Sequence, residues 1–202
     1  MPTDEIKRRL VHVSGVLLPL GYLADAVVLS GDILTWERLG VLYLLASAVA
    51  VGLEFFRLVV GLEWWVYRRL TREYEQTNPA GYALFMVGSA IAALAFRPRV
   101  ALPALLALSL VDPMSGLLSR RSHRRTKRPS VLGITFLASF ALGAAFVPLP
   151  AAALGGIAVT VADGVKPSLG GVVFDDNFTI PVAASAAIQV GVTYLPDAPS
   201  LA

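Results

Sequence analysis

The chain has 202 residues, of which 56% are hydrophobic and 15% charged, and its mean hydropathy is +0.68. That composition is too apolar for a soluble globular domain and suits a chain that lives in a bilayer. The net charge is +3, the pI is near 9.4, and the absence of cysteine excludes disulfides, thiolate zinc sites and a cysteine nucleophile.

The opening stretch, MPTDEIKRRLVHVSG, has no small-residue cleavage site and leads into a segment long enough to span, so it reads as retained. Apolar stretches then predict spans near residues 10–30, 39–62, 80–96, 99–119, 130–149, 150–165 and 178–196. The expected fold class is all-α: a polytopic membrane bundle of about seven transmembrane helices, forming one domain over residues 1–202. Pro113 is expected to kink or break the fourth span, and the sixth is short and carries Gly155, Gly156 and Gly164. No internal repeat is present.

Charge orients the bundle. Lys7, Arg8 and Arg9 precede span one; Arg68, Arg69 and Arg72 follow span two. Arg120, Arg121, Arg124, Arg125, Lys127 and Arg128 follow span four, and Lys166 follows span six. An odd number of spans puts all of these on one side and leaves Arg38, Arg97 and Arg99 on the other. Cytoplasmic joints are enriched in lysine and arginine, so the N-terminus is expected to be cytoplasmic in an integral protein of the cell membrane. The joint carrying Asp175 and Asp176 is then cytoplasmic too. Topology and attraction to anionic lipid suffice to explain any single basic joint. Trp36, Trp64, Trp65 and Tyr67 fall at predicted interfaces and read as belt anchors.

A charge at the centre of a membrane helix costs roughly 2.5–3.5 kcal/mol on insertion scales, so the ionisable residues in or beside the spans need partners. Glu54 and Arg57, three apart, share a helix face and neutralise each other in the simplest reading. Asp25 and Glu63 sit near span ends, within reach of water. Asp112 in SLVDPMSGLLSRR and Asp163 in TVADGVKPSLGG end spans beside proline or glycine, and FDDNFTIPVAAS sets Asp175, Asp176 and Asn177 before an apolar run. Gathered at the cytoplasmic ends of spans four, six and seven, these acids face the basic run after span four. Hard oxygen ligands and guanidinium or ammonium groups are what a magnesium–polyphosphate complex requires. There is no GxxxxGK[ST] loop, which leaves a P-loop site unsupported.

Several segments resemble the CTP-dependent polyprenol kinase family, which includes dolichol kinase and phytol kinase. EIKRRLVHVSG is similar to that family's charged N-terminal opening, with His12 in its characteristic place. EFFR, with Glu54 and Arg57, and REYEQTNPAGYALFMVG, with Arg72, Glu75 and Gly81, are similar to its second and third segments. VDPMSGLLSRR resembles the GDxxAxxxGR motif through Asp112 and Arg120. KRPSVLGITF resembles the following K-S-x-x-G-S segment through Ser130 and Gly133, and FDDNFTIPVAAS the closing D-N-x-T-I-P signature through Asp176, Asn177, Thr179 and Pro181. Val111, Ser115 and Ser119 depart from the GDxxAxxxGR pattern, Ile134 replaces serine, Asp163 stands where glutamate is expected, and Pro129 takes the lysine position from which Lys127 is displaced.

The resemblance implies a kinase that moves the γ-phosphoryl group of CTP, with Mg2+, onto the hydroxyl of an isoprenoid alcohol of the dolichol, phytol or geranylgeraniol type. It implies Asp112, Asp163 and Asp176 as catalytic acids, and Asp112, Asp175 and Asp176 as metal ligands. Arg120, Lys127, Arg128, Ser130, Gly133 and Asn177 would serve the nucleotide, with His12, Glu54, Arg57, Arg72 and Glu75 as further motif residues. Spacing does not choose the base among the acids. The expected partners are the alcohol, the nucleotide and the bilayer, without nucleic acid, and the oligomeric state stays open. Asp176 and Asn177 also suit plain helix capping, and His12 plain interfacial packing. His123 lacks the second histidine that a zinc site wants. Two other functions suit the same residues: a membrane cytidylyltransferase acting on a lipid phosphate, and an ion-coupled transporter with Asp25, Glu54, Asp112 and Asp163 as a relay.

Overall fold

In a computed structural model, residues 12–29, 31–62, 64, 67, 71, 75–119, 127–164, 168–169, 172–173 and 175–195 are described. Among them the chain forms seven helices: α1 (His12–Val28), α2 (Trp36–Leu58), α3 (Gly81–Ala95), α4 (Pro98–Leu118), α5 (Pro129–Ala144), α6 (Leu149–Gly164) and α7 (Asp176–Tyr194). A two-residue antiparallel pairing, β1 (Ser168–Leu169) with β2 (Val172–Val173), closes the α6–α7 joint. Two helices, α2 and α4, are long and apolar enough to cross a membrane.

Helix limits follow local chemistry. Thr35 caps α2, its side chain accepting the Arg38 N–H at 3.3 Å, so the helix starts ahead of the expected residue 39. It stops before Gly61, whose φ of +74° lies in the left-handed region open to glycine. Within α1 the bonding tightens at Gly15 and Val16, which reach back three residues to His12 and Val13.

The expected break in α4 does not occur. Pro113 is carried inside the helix because the preceding turn, Ala107–Val111, widens to π geometry, with the Asp112 N–H bonding to the Ala107 carbonyl. The glycines of α6, rather than weakening it, let neighbours close in. A methyl on Gly155 would sit 2.5 Å from Ile188 of α7, and one on Gly156 3.2 Å from the Phe136 ring of α5.

The helices alternate in direction. At the near end, the start of α1 meets α4 at Leu108 and Asp112, the end of α2 meets the joint before α3, and the end of α6 meets the residues before α5. The first turns of α7 lie there too: a methyl on Gly88 of α3 would stand 2.9 Å from Pro181 and 3.1 Å from the Asn177 carbonyl. At the far end Trp36 Nε1 donates to the Phe96 carbonyl at 3.1 Å, and Val100, Val147, Ala151, Ala152 and Ile188 form a cluster of their own. The central helix is α4, buried over most of its length, whereas α2 turns Leu45, Val49 and Phe56 outward.

Candidate functional site

Asp112, Asp163 and Asp176 meet at the near end. One carboxylate oxygen from each lies within 4.8 Å of the others. They arrive on three helices: Asp112 on α4 just after the wide turn, Asp163 next to last in α6, and Asp176 first in α7. Asp163 and Asp176 are buried. Three carboxylates this close repel one another unless cations sit among them.

Lys127, just ahead of α5, supplies one such cation. Its Nζ contacts Asp163 Oδ1 and donates to Ser115 Oγ at 2.9 Å, while Ser115 Oγ donates to Asp163 Oδ2 at 2.5 Å. Residue type alone does not mark Ser115 as a site residue, although its place three after Asp112 puts both on one helix face.

The adjacent acids at the start of α7 divide their tasks. Asp175 Oδ1 accepts the Asn177 N–H at 2.9 Å and the Asn177 amide at 2.5 Å, which makes Asp175 the helix cap. One of its carboxylate oxygens serves that cap, and the close trio of acids among the described residues is Asp112, Asp163 and Asp176. Burial, and then the neighbouring Asp176, push the Asp175 carboxyl up to about 6. Asn177 Oδ1 is buried with no hydrogen-bond partner among the described residues.

A second polar network braces this one. Arg57 grips Glu54 by two bonds, Nε to Oε1 at 3.1 Å and Nη2 to Oε2 at 2.6 Å. It also donates to the carbonyls of Glu75 at 2.9 Å and Asn78 at 2.7 Å. Glu54 in turn accepts the Ala80 N–H at 3.0 Å and the Tyr82 hydroxyl at 2.5 Å. The result is a fixed joint before α3. From it Glu75, buried, approaches the Gly81 N–H at 3.4 Å, and a methyl on Gly81 would lie 2.9 Å from the Asn177 amide. The pair does more than neutralise itself: it holds the strip against which the start of α7 is laid.

No family model, curated protein or solved structure matches this chain. The functional reading therefore rests on the motifs and on this geometry.

The remaining expected residues fall in several places. His12 touches Asp112, with Nε2 3.5 Å from Oδ2. Arg128 and Ser130 are exposed at the start of α5, and a methyl on Gly133 would meet nothing within 4 Å. Arg72 and Arg120 lie outside the described residues, as do Glu63, Arg121, His123, Arg124, Arg125 and Lys166. Asp25 lies at the far end, accepting the Ile33 and Leu34 N–H groups at 3.1 and 2.9 Å. About 20 Å of helix rise separates it from His12.

The donor set suits a hard divalent cation: it offers three carboxylates from separate elements, within reach of one centre.

Proposed function

We propose that this chain is a CTP-dependent lipid kinase of the polyprenol kinase kind, a seven-span membrane bundle that phosphorylates the hydroxyl of an isoprenoid alcohol at the cytoplasmic boundary. The observation that carries the reading is the meeting of Asp112, Asp163 and Asp176 from three helices, with Lys127 alongside. Asp112, Lys127 and Asp176 lie in segments that resemble the family, Asp163 stands where the family is expected to have glutamate, and the acids come from separate stretches of the chain.

The residues suit the chemistry of phosphoryl transfer, which asks for alignment and charge neutralisation. Asp112, Asp163 and Asp176 would hold Mg2+. When bound, it neutralises triphosphate oxygens and helps to align them. The alcohol oxygen attacks the γ-phosphorus, the bond from that phosphorus to the β-phosphate bridging oxygen breaks, CDP leaves, and the hydroxyl proton passes to a carboxylate of the trio. Lys127 and Arg128 supply positive charge on the side where the triphosphate enters. Asn177, whose side-chain oxygen has no hydrogen-bond partner among the described residues, orients the nucleotide or a water. An apolar tail remains among the exposed aliphatic side chains of the helices while its hydroxyl stays at the polar end.

The test is the fate of label. Purified protein in lipid nanodiscs, given Mg2+, a polyprenol and CTP labelled either at the γ-phosphate or in the cytosine, is expected to leave γ-label on lipid and none from cytosine. Cytosine label on lipid would mean cytidylyl transfer instead. Solute movement without CTP consumption would mean transport.

A further inference from the structure

Pro113 has no backbone N–H, and it stands where α4 needs one. In the wide turn Ala107–Val111 the hydrogen bonds run five residues back, as from Asp112 to Ala107. The next donor in that register is residue 113, and its acceptor is the Leu108 carbonyl. Proline leaves that carbonyl without its helical donor. His12 of α1 stands there instead, with Nε2 2.8 Å from the Leu108 oxygen. The same nitrogen lies 3.5 Å from Asp112 Oδ2. The ring is held edge to face against Phe85, with centroids 5.0 Å apart at 81°. Gly15, one turn on from His12, leaves Phe85 its space, since a methyl there would run into the ring.

The wide turn has a geometric consequence. One extra residue in a helical turn rotates everything after it by roughly 100° about the axis. Asp112 and Ser115 both follow the turn, so the turn decides which side of α4 presents them to Asp163. We infer that His12 is the positioning residue for Asp112: by giving Leu108 the donor that Pro113 lacks, it fixes the wide turn and aims the Asp112 carboxylate at Asp163 and Asp176. The inference rests on the proposed function only in treating the three acids as a divalent-cation site.

The full chain is compared in detergent with His12→Ala, His12→Gln, Pro113→Ala and the double variant His12→Ala/Pro113→Ala. Mn2+ binding is followed by electron paramagnetic resonance of the free ion, thermal unfolding by circular dichroism, and label transfer from γ-labelled CTP alongside. His12→Ala is expected to weaken Mn2+ binding about tenfold or more, as loss of a supporting hydrogen bond does at metal sites. His12→Gln, whose amide can donate to the same carbonyl, is expected to recover most of that loss. Pro113→Ala returns a backbone N–H, so the double variant is expected to bind Mn2+ more tightly and melt higher than His12→Ala alone. Folded His12→Ala with unchanged Mn2+ affinity overturns the inference, as does Gln behaving like Ala with losses that simply add. Should His12→Ala fail to fold, recovery of folded double variant supports the inference and its absence overturns it. Wild-type protein that neither binds Mn2+ nor transfers label defeats the functional reading instead, and the melting points of the four variants then judge the His12 contact on their own.

Discussion

Asp175 and Asp176 are neighbours in the chain with the same chemistry, and the backbone gives them different work. Asp175 has extended backbone, which turns its carboxylate back onto the Asn177 N–H as a cap. Asp176 is the first helical residue, so its side chain points along the bundle to Asp112 and Asp163. Asp176→Asn removes a charge and a ligand while the Asp175 cap stays, so turnover is expected to fall by about a hundredfold with little change in thermal midpoint. Asp175→Asn keeps an acceptor oxygen for the cap and is expected to retain most of the activity. Initial rates with γ-labelled CTP, together with unfolding curves for both variants, check this. A larger loss in Asp175→Asn would reverse the two roles.

At the scale of the element, the joint between α2 and α3 shows how ion pairs build a site they do not enter. Glu54 and Arg57 bond to each other and to five backbone groups or side chains of residues 75–82. A pair read as mutual neutralisation is thus also a splint, because each charge has lone pairs or protons left over after meeting the other. Breaking a buried pair from one side strands the remaining charge. Glu54→Gln is therefore expected to cost about 3 kcal/mol of stability. The joint that lies beside Asn177 should loosen with it. Chemical denaturation in mixed micelles, and proteolysis within residues 75–80, measure the two effects. Protein as stable and as protease-resistant as wild type would show that packing of α3 on α7 holds the joint without the ion pair.

Over the whole molecule, alternation of seven helices brings every acid of the trio to the end where Lys127 and Arg128 also lie. The proposed orientation puts that end in the cytoplasm. The chain has no cysteine, so single cysteines can be introduced without background labelling. Thr77→Cys, at the near end, is expected to react with an impermeant maleimide only after cells are opened, and Asp32→Cys, at the far end, in intact cells. Both positions are exposed. The opposite pattern inverts the orientation, and labelling of both from one side would mean that the chain does not span as proposed.

Composition and hydropathy sufficed for the all-helical class and for where the seven helices run, since apolar length is a property of consecutive residues. The same is true of the acids as a group: charge inside apolar sequence is conspicuous in one dimension. Partnership was not legible there. The proline at 113 pointed to a kinked or broken helix, and the chain instead widened a turn and took a donor for the Leu108 carbonyl from His12, ninety-six residues before it. Two aspartates at 175 and 176 looked alike as ligands, and a single backbone angle made one a cap. Lys127 looked ready for phosphate, and in the fold it is bonded to Asp163 through contacts that include Ser115. Local pattern fixes what each segment becomes because its causes lie within a few residues. Which polar groups satisfy one another depends on helices meeting side by side, and that is settled only when the bundle closes.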